Sequence, residues 1–134
     1  MELSINLAME QGFLEEIGLT KGEIRVYLSL LTLGQTTSGP IIAESNISSS
    51  KVYEILEKLM DKGLVSYVIK NKTKHFQATS PLKLKDYLLR KEEKVEKQKE
   101  ELEKNLPSLL AKFNDKQIIQ NAEIFNGFKA VQTM

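Results

Sequence analysis

The 134-residue chain has no cysteine, a single histidine and only three prolines. Without cysteine neither a disulfide framework nor a thiolate metal site can form, and His75 alone cannot assemble a histidine cluster, so no metal and no cofactor is expected. The phosphate-binding Gly-x-Gly-x-x-Gly and Gly-Lys-Ser/Thr loops are missing, as is a serine flanked by the glycines of a nucleophile elbow. Carboxylates adjoin as Glu15-Glu16, Glu92-Glu93 and Glu100-Glu101. Consecutive helical residues point about 100° apart, so solvation explains these pairs better than acid/base chemistry, and an enzyme is not expected. Apolar runs are only a few residues long, and the N-terminus lacks a basic region followed by an apolar one. Neither a membrane span nor a secretory signal is therefore expected, and the chain is placed in the cytoplasm.

What is present is one small domain's worth of core, 41% hydrophobic residues, and an uneven charge. The net charge is only +1. Residues 1–47 nevertheless set Lys21 and Arg25 against Glu2, Glu10, Glu15, Glu16, Glu23 and Glu44, which argues against this part facing phosphate directly. Residues 62–85 hold Lys62, Lys70, Lys72, Lys74, Lys83 and Lys85 with no acidic residue.

Local signals order the first 80 residues. Phe13, Leu14 and Ile17 form a short apolar stripe ending at Gly18, and Thr20-Lys21-Gly22-Glu23 has the spacing of a capping box that opens a helix. Ile24, Tyr27, Leu28, Leu30 and Leu31 recur along that helix until Gly34, which suits a left-handed stop. Thr36-Thr37-Ser38-Gly39-Pro40 starts a helix of barely two turns that breaks around Ser45-Asn46. The next helix opens at Ser48, whose hydroxyl can cap amides two or three residues on, and runs to Lys62 with Gly63 as its stop. Its apolar face is Val52, Ile55, Leu56, Leu59 and Met60, with Lys51 and Tyr53 at the flanks. Leu64–Lys70 and Thr73–Thr79 are strand-like segments either side of Asn71-Lys72, where Asn tolerates the positive φ that a tight hairpin requires; lysine is not ideal at the second loop position, and a longer loop is the alternative. The fold class is thus mainly α with a small β-hairpin, a winged helix-turn-helix over residues 1–80.

From Ser80-Pro81, a cap and first helical residue, the sequence becomes charge-rich and predicts one long helix over residues 81–113. Leu88, Val95, Leu102 and Leu109 recur every seven residues, the coiled-coil period, whereas of Leu84, Lys91, Gln98 and Asn105 only Leu84 is apolar. The seam is narrow, and Pro107 is expected to interrupt or kink it. A helix of about 40 Å from Ser80 to Leu106 with one apolar stripe needs a surface to pack on. Self-association through Leu84, Leu88, Val95, Leu102, Leu106 and Leu109 is the expectation; packing back on its own domain is the alternative.

FLEEIGLTKGEIRVYLSLLTLG, the Ile42-Ala43 helix, SSSKVYEILEKLMDKGLV and the lysine-tipped hairpin together resemble the N-terminal winged-helix domain of the TrmB-type transcriptional regulators, found chiefly in archaea. The resemblance covers residues 13–80 and continues through a coiled-coil-like helix. Segment 114–134 resembles the truncated start of an effector domain around Asn126-Gly127, so ligand binding is not carried over and no small-molecule effector is expected. The resemblance implies a homodimeric regulator on double-stranded DNA. It places the helix from Ser48 in the major groove, with Ser49, Ser50 and Lys51 meeting phosphate or base edges and Tyr53 and Glu54 next in reach. Burial of the Tyr53 ring is an equal expectation. Lys70, Lys72 and Lys74 would set the wing on the backbone, Thr37 and Ser38 would add phosphate hydrogen bonds, and His75 would bond a phosphate or enter a minor groove. The alternative is a winged-helix protein-protein adaptor in transcription machinery.

Overall fold

The computed structural model describes residues 2–128, with side chains described for residues 7–117. The order is α1 (Glu2–Glu16), α2 (Lys21–Leu33), α3 (Ser38–Ser45), α4 (Ser49–Asp61), β1 (Val65–Lys70), β2 (Thr73–Ala78) and α5 (Lys83–Phe128). Two compact units follow one another in the chain, residues 1–90 and residues 91–134, the second being the continuation of α5.

Helix ends in the first unit follow from side-chain and glycine chemistry. Thr20 Oγ1 accepts from the Glu23 amide at 3.1 Å while the Glu23 carboxylate accepts from the Thr20 amide at 2.8 Å, the reciprocal box read from the sequence. α4 closes with the Gly63 amide donating to Met60 O and the Leu64 amide to Leu59 O, each at 2.9 Å. This double closure requires a left-handed residue, and Gly63 takes φ +78°. α1 ends the same way, Gly18 donating to Glu15 O and Leu19 to Leu14 O. α3, only eight residues, ends on Asn46 in the left-handed region.

α2 packs on α1, α3, α4 and β2, and this central position widens its buried face beyond one stripe. Val26 is fully buried although the periodicity omits it, and Leu31, expected in the stripe, is exposed. Phe13 likewise points outward while Leu14 is buried, because adjacent helical positions diverge by about 100°. α4 buries Val52, Leu56 and Leu59 completely, with Ile55 and Met60 partly buried against the same core.

The hairpin pairs Val65 with Ala78 through Lys70 with Thr73, leaving Asn71 and Lys72 as a two-residue loop at φ +50° and +63°. This is the tight hairpin read at Asn71-Lys72, and the alternative of a longer loop does not occur. Thr36 forms an isolated antiparallel bridge to Phe76, with hydrogen bonds of 2.9 and 2.6 Å, so the segment between α2 and α3 acts as a third strand. Ser80 starts a turn in which its hydroxyl accepts from the Leu82 amide, and α5 begins at Lys83 rather than at Pro81. α5 does not stop at Pro107: it runs 46 residues to Phe128 with the proline inside. One proline removes a single amide donor, and the turns on either side keep theirs. Residues 129–134, part of the effector-like segment, lie outside the described residues.

Candidate nucleic-acid interface

Burial of Val52, Leu56 and Leu59 fixes the rotation of α4 and turns Ser49, Ser50, Lys51, Tyr53 and Glu54 to solvent. Ser48 is the N-cap residue, but its side chain makes no cap hydrogen bond, contrary to the expectation from sequence. Its hydroxyl is exposed. Tyr53 is half exposed, and its hydroxyl sits 2.8 Å from Ser38 Oγ, so the phenol spans from α4 to the first turn of α3 instead of entering the core. Thr37, the N-cap of α3, is half-buried and makes no side-chain cap bond. Thr37, Ser38 and Tyr53 therefore belong to one side of the α3–α4 pair.

The wing is held by residues that local sequence signals do not mark. Lys70 Nζ donates to Gln35 Oε1 at 2.5 Å, Gln35 Nε2 to Gln77 Oε1 at 2.7 Å, and Gln77 Nε2 to Ser66 Oγ at 3.2 Å. Gln35 lies 35 residues from Lys70, and nothing in its own neighbourhood, a helix end, announces the contact. Lys74 lies over the Tyr67 ring, 4.6 Å from its centroid, a cation–π arrangement. Lys72 is exposed at the tip, and His75 is half-buried with Nδ1 3.2 Å from Thr73 O. The three wing lysines thus differ: Lys70 is tethered, Lys74 rests on an aromatic ring and Lys72 projects alone.

Behind α4 lies a buried ion pair. Lys62 Nζ donates to both Glu23 oxygens at 2.8 and 2.7 Å, with Glu23 only 1% exposed. Burial drives the Glu23 carboxyl upward, but the Lys62 ammonium and the Thr20 amide and hydroxyl outweigh it, and the net displacement is downward. Lys62 also lies 5.8 Å from the Tyr87 ring centroid, and Arg90 donates to Lys62 O at 2.6 Å, so the end of α4 is bound to α2 and to the start of α5. Lys62 is consequently not part of the exposed charge of α4. What remains outside is Lys51 and Lys58 against Glu54, Glu57 and Asp61.

Of the expected association residues, Leu84 packs partly against the core of its own unit. Leu88, Val95, Leu102 and Leu109 are exposed and Leu106 is partly buried. Leu110 and Phe113 are exposed as well. Leu102, Leu106, Leu109 and Phe113 are spaced alternately four and three residues apart, which is the two-position coiled-coil pattern that Val95 lacks. Among the described residues no group of three or more His, Cys, Asp or Glu is placed to hold a metal ion, and no helix is long and apolar enough to cross a membrane.

A family model described as the sugar-specific transcriptional regulator TrmB matches residues 14–82. The HTH-type sugar sensing transcriptional regulator TrmBL1 of Pyrococcus furiosus is 40% identical over 55 residues, which are 41% of this chain and 16% of that protein. Among solved structures, TrmBL2, an archaeal chromatin protein reported to show a novel mode of DNA binding, superposes with a TM-score of 0.64 at 22% identity, covering 82% of this chain and 43% of that one. The ST1889 protein of Sulfolobus tokodaii superposes at 0.53 and 21% identity, covering 67% of this chain and 94% of that one. A MarR family regulator from Silicibacter pomeroyi superposes at 0.50 and 22% identity, covering 97% and 85%. At these identities the solved structures speak for the winged-helix fold alone. The chain spans 16% of the curated relative and 43% of TrmBL2.

Proposed function

This chain belongs to the TrmB family of transcriptional regulators, and from that premise we propose that it binds duplex DNA as a homodimer, with the first turn of α4 in the major groove and the wing on the phosphate backbone. The family is one of regulators and not of enzymes. The observation that carries the reading is the rigid presentation of that turn: three buried aliphatic residues hold α4 in place, and Ser49, Ser50, Lys51, Tyr53 and Glu54 are exposed together. Serine hydroxyls and Lys51 suit phosphates and base edges, and Glu54 suits the amino group of cytosine. The Tyr53–Ser38 hydrogen bond joins the α3 start to the same surface. Lys70, Lys72 and Lys74 supply affinity that does not depend on sequence. A cytoplasmic location goes with this reading.

Dimerisation compensates for the weakness of a single half. Once Lys62 is committed to Glu23, the exposed face of α4 carries more acid than base. Two copies joined through α5 would couple half-sites about 34–36 Å apart. The same acidic face favours the second reading, a protein-binding adaptor, over a strong monomeric DNA binder. Duplex binding measured over a salt series separates the two. Affinity that falls steeply with salt, and softens in a Lys70→Ala/Lys72→Ala/Lys74→Ala variant, is the expected result. No duplex binding at low salt would leave the adaptor.

A further inference from the structure

We propose that the cleft between α2 and α4 is a second backbone site, one that holds a phosphodiester group of duplex DNA among Arg25, Lys51 and Lys58. The proposal rests on the DNA-binding reading above and adds residues to it. The cleft has a volume of about 370 Å³, with Arg25 on the α2 wall and Lys51, Glu54 and Lys58 on the α4 wall. Lys51 and Lys58 are seven positions apart, nearly two helical turns, and so share one side of α4 about 10 Å apart along its axis. Gly22 allows the two walls to close at their base: a Cβ there would lie 2.9 Å from Ile55 Cδ1.

Three cations meet one carboxylate in this cleft, and none is matched. Among the described residues, ion pairs join Lys62 to Glu23, Lys83 to Asp86, Lys99 to Glu96 and Lys104 to Glu101, and Lys91 also has a partner. The side chains of Arg25, Lys51, Lys58 and Glu54 take part in none of them. Glu23, the other carboxylate near the start of α2, is spent on Lys62. A concave wall carrying surplus charge of one sign focuses potential and draws a counter-charge. An arginine beside two lysines suits a phosphate, since the guanidinium offers two parallel donors and the ammoniums add point charge.

The occupant is the DNA backbone because the cleft is continuous with the reading surface. Lys51 and Glu54 belong both to the first turns of α4 and to the cleft wall. A duplex whose major groove receives Ser50 and Tyr53 therefore brings the backbone of a flanking strand to Lys51, and from there to Arg25 and Lys58. Residues 1–47 are acidic by count, yet the fold carries their only arginine to this wall.

Equilibrium binding of the full chain to a duplex over a salt series tests the site. Each lost phosphate contact reduces the slope of log K against log[salt] by about 0.9. An Arg25→Ala/Lys58→Ala variant is expected to reduce the slope by about 0.9, the loss of one phosphate contact, uniformly across DNA sequences, while charge-preserving Arg25→Lys/Lys58→Arg keeps it. An unchanged slope and affinity in the alanine variant, alongside weakened binding by the wing triple variant, overturns the cleft and leaves the DNA reading intact. A slope lowered equally by the charge-preserving variant also overturns it, because geometry other than charge is then responsible. A wild-type chain that binds no duplex at low salt overturns both.

Discussion

Glu23 works in two structures at once. Its carboxylate closes the capping box of α2 and neutralises Lys62 from α4 while almost wholly buried. The first role is legible because a box spans three residues; the second is not, because the partner lies 39 positions away. Replacing Lys62 as Lys62→Met strands a buried carboxylate and is expected to cost about 3–5 kcal/mol at neutral pH, read from urea unfolding. The pH dependence has a definite sign. The folded-state pKa of Glu23 lies below its ordinary value of 4.5, so its contribution is complete above that value and disappears as pH falls through the lower, folded one. In Lys62→Met the burial effect is left without its main opponent, and the carboxyl protonates more readily. The deficit of the variant relative to wild type should then narrow between neutral pH and about pH 3. A deficit of constant size over that range would point to packing instead of charge.

At the scale of elements, the wing shows how a local rule is overridden. Asn71 and Lys72 both take positive φ, which a two-residue hairpin demands and which a lysine adopts only at a cost. Strand pairing from Val65–Ala78 to Lys70–Thr73, held in place by the Thr36 bridge, leaves no room for a longer loop. Lys72→Gly should relieve the strain and raise stability by about 1 kcal/mol, seen as a higher urea midpoint with unchanged m-value. A lower midpoint would mean that the Lys72 side chain supports the loop. The same variant removes one wing charge, so duplex affinity should fall as stability rises. α5 is the opposite case, where a local breaker lies inside a continuous element. The seven-residue recurrence located the helix, but Pro107 does not end it, because losing one donor is tolerated within an element of 46 residues.

For the whole molecule, association is the quantity that matters. Leu102, Leu106, Leu109 and Phe113 offer a stretch of α5 where apolar residues alternate at four and three, and Leu84, expected in the same seam, is partly used by its own core. Leu102→Lys/Leu109→Lys should convert a dimer to a monomer, measured as halved mass in solution, while the melting of the winged-helix unit stays unchanged. A dimer that survives would move the interface elsewhere, with the exposed Met9 and Phe13 of α1 as the next candidates.

The amino-acid sequence alone determined the order of elements from α2 to the wing, the capping box of α2, the glycine stops at Gly18, Gly34 and Gly63, and the basic stretch of the wing, since helical period, strand alternation and glycine stops act over a few residues. Tertiary structure decided which charges are spent and which remain available. Lys62 is withdrawn to Glu23, Lys70 is tethered to Gln35, and Arg25 meets Lys51 and Lys58 across a cleft. Those pairings join residues from 26 to 39 positions apart, and only the path imposed by burying α2 at the centre of the core brings them together.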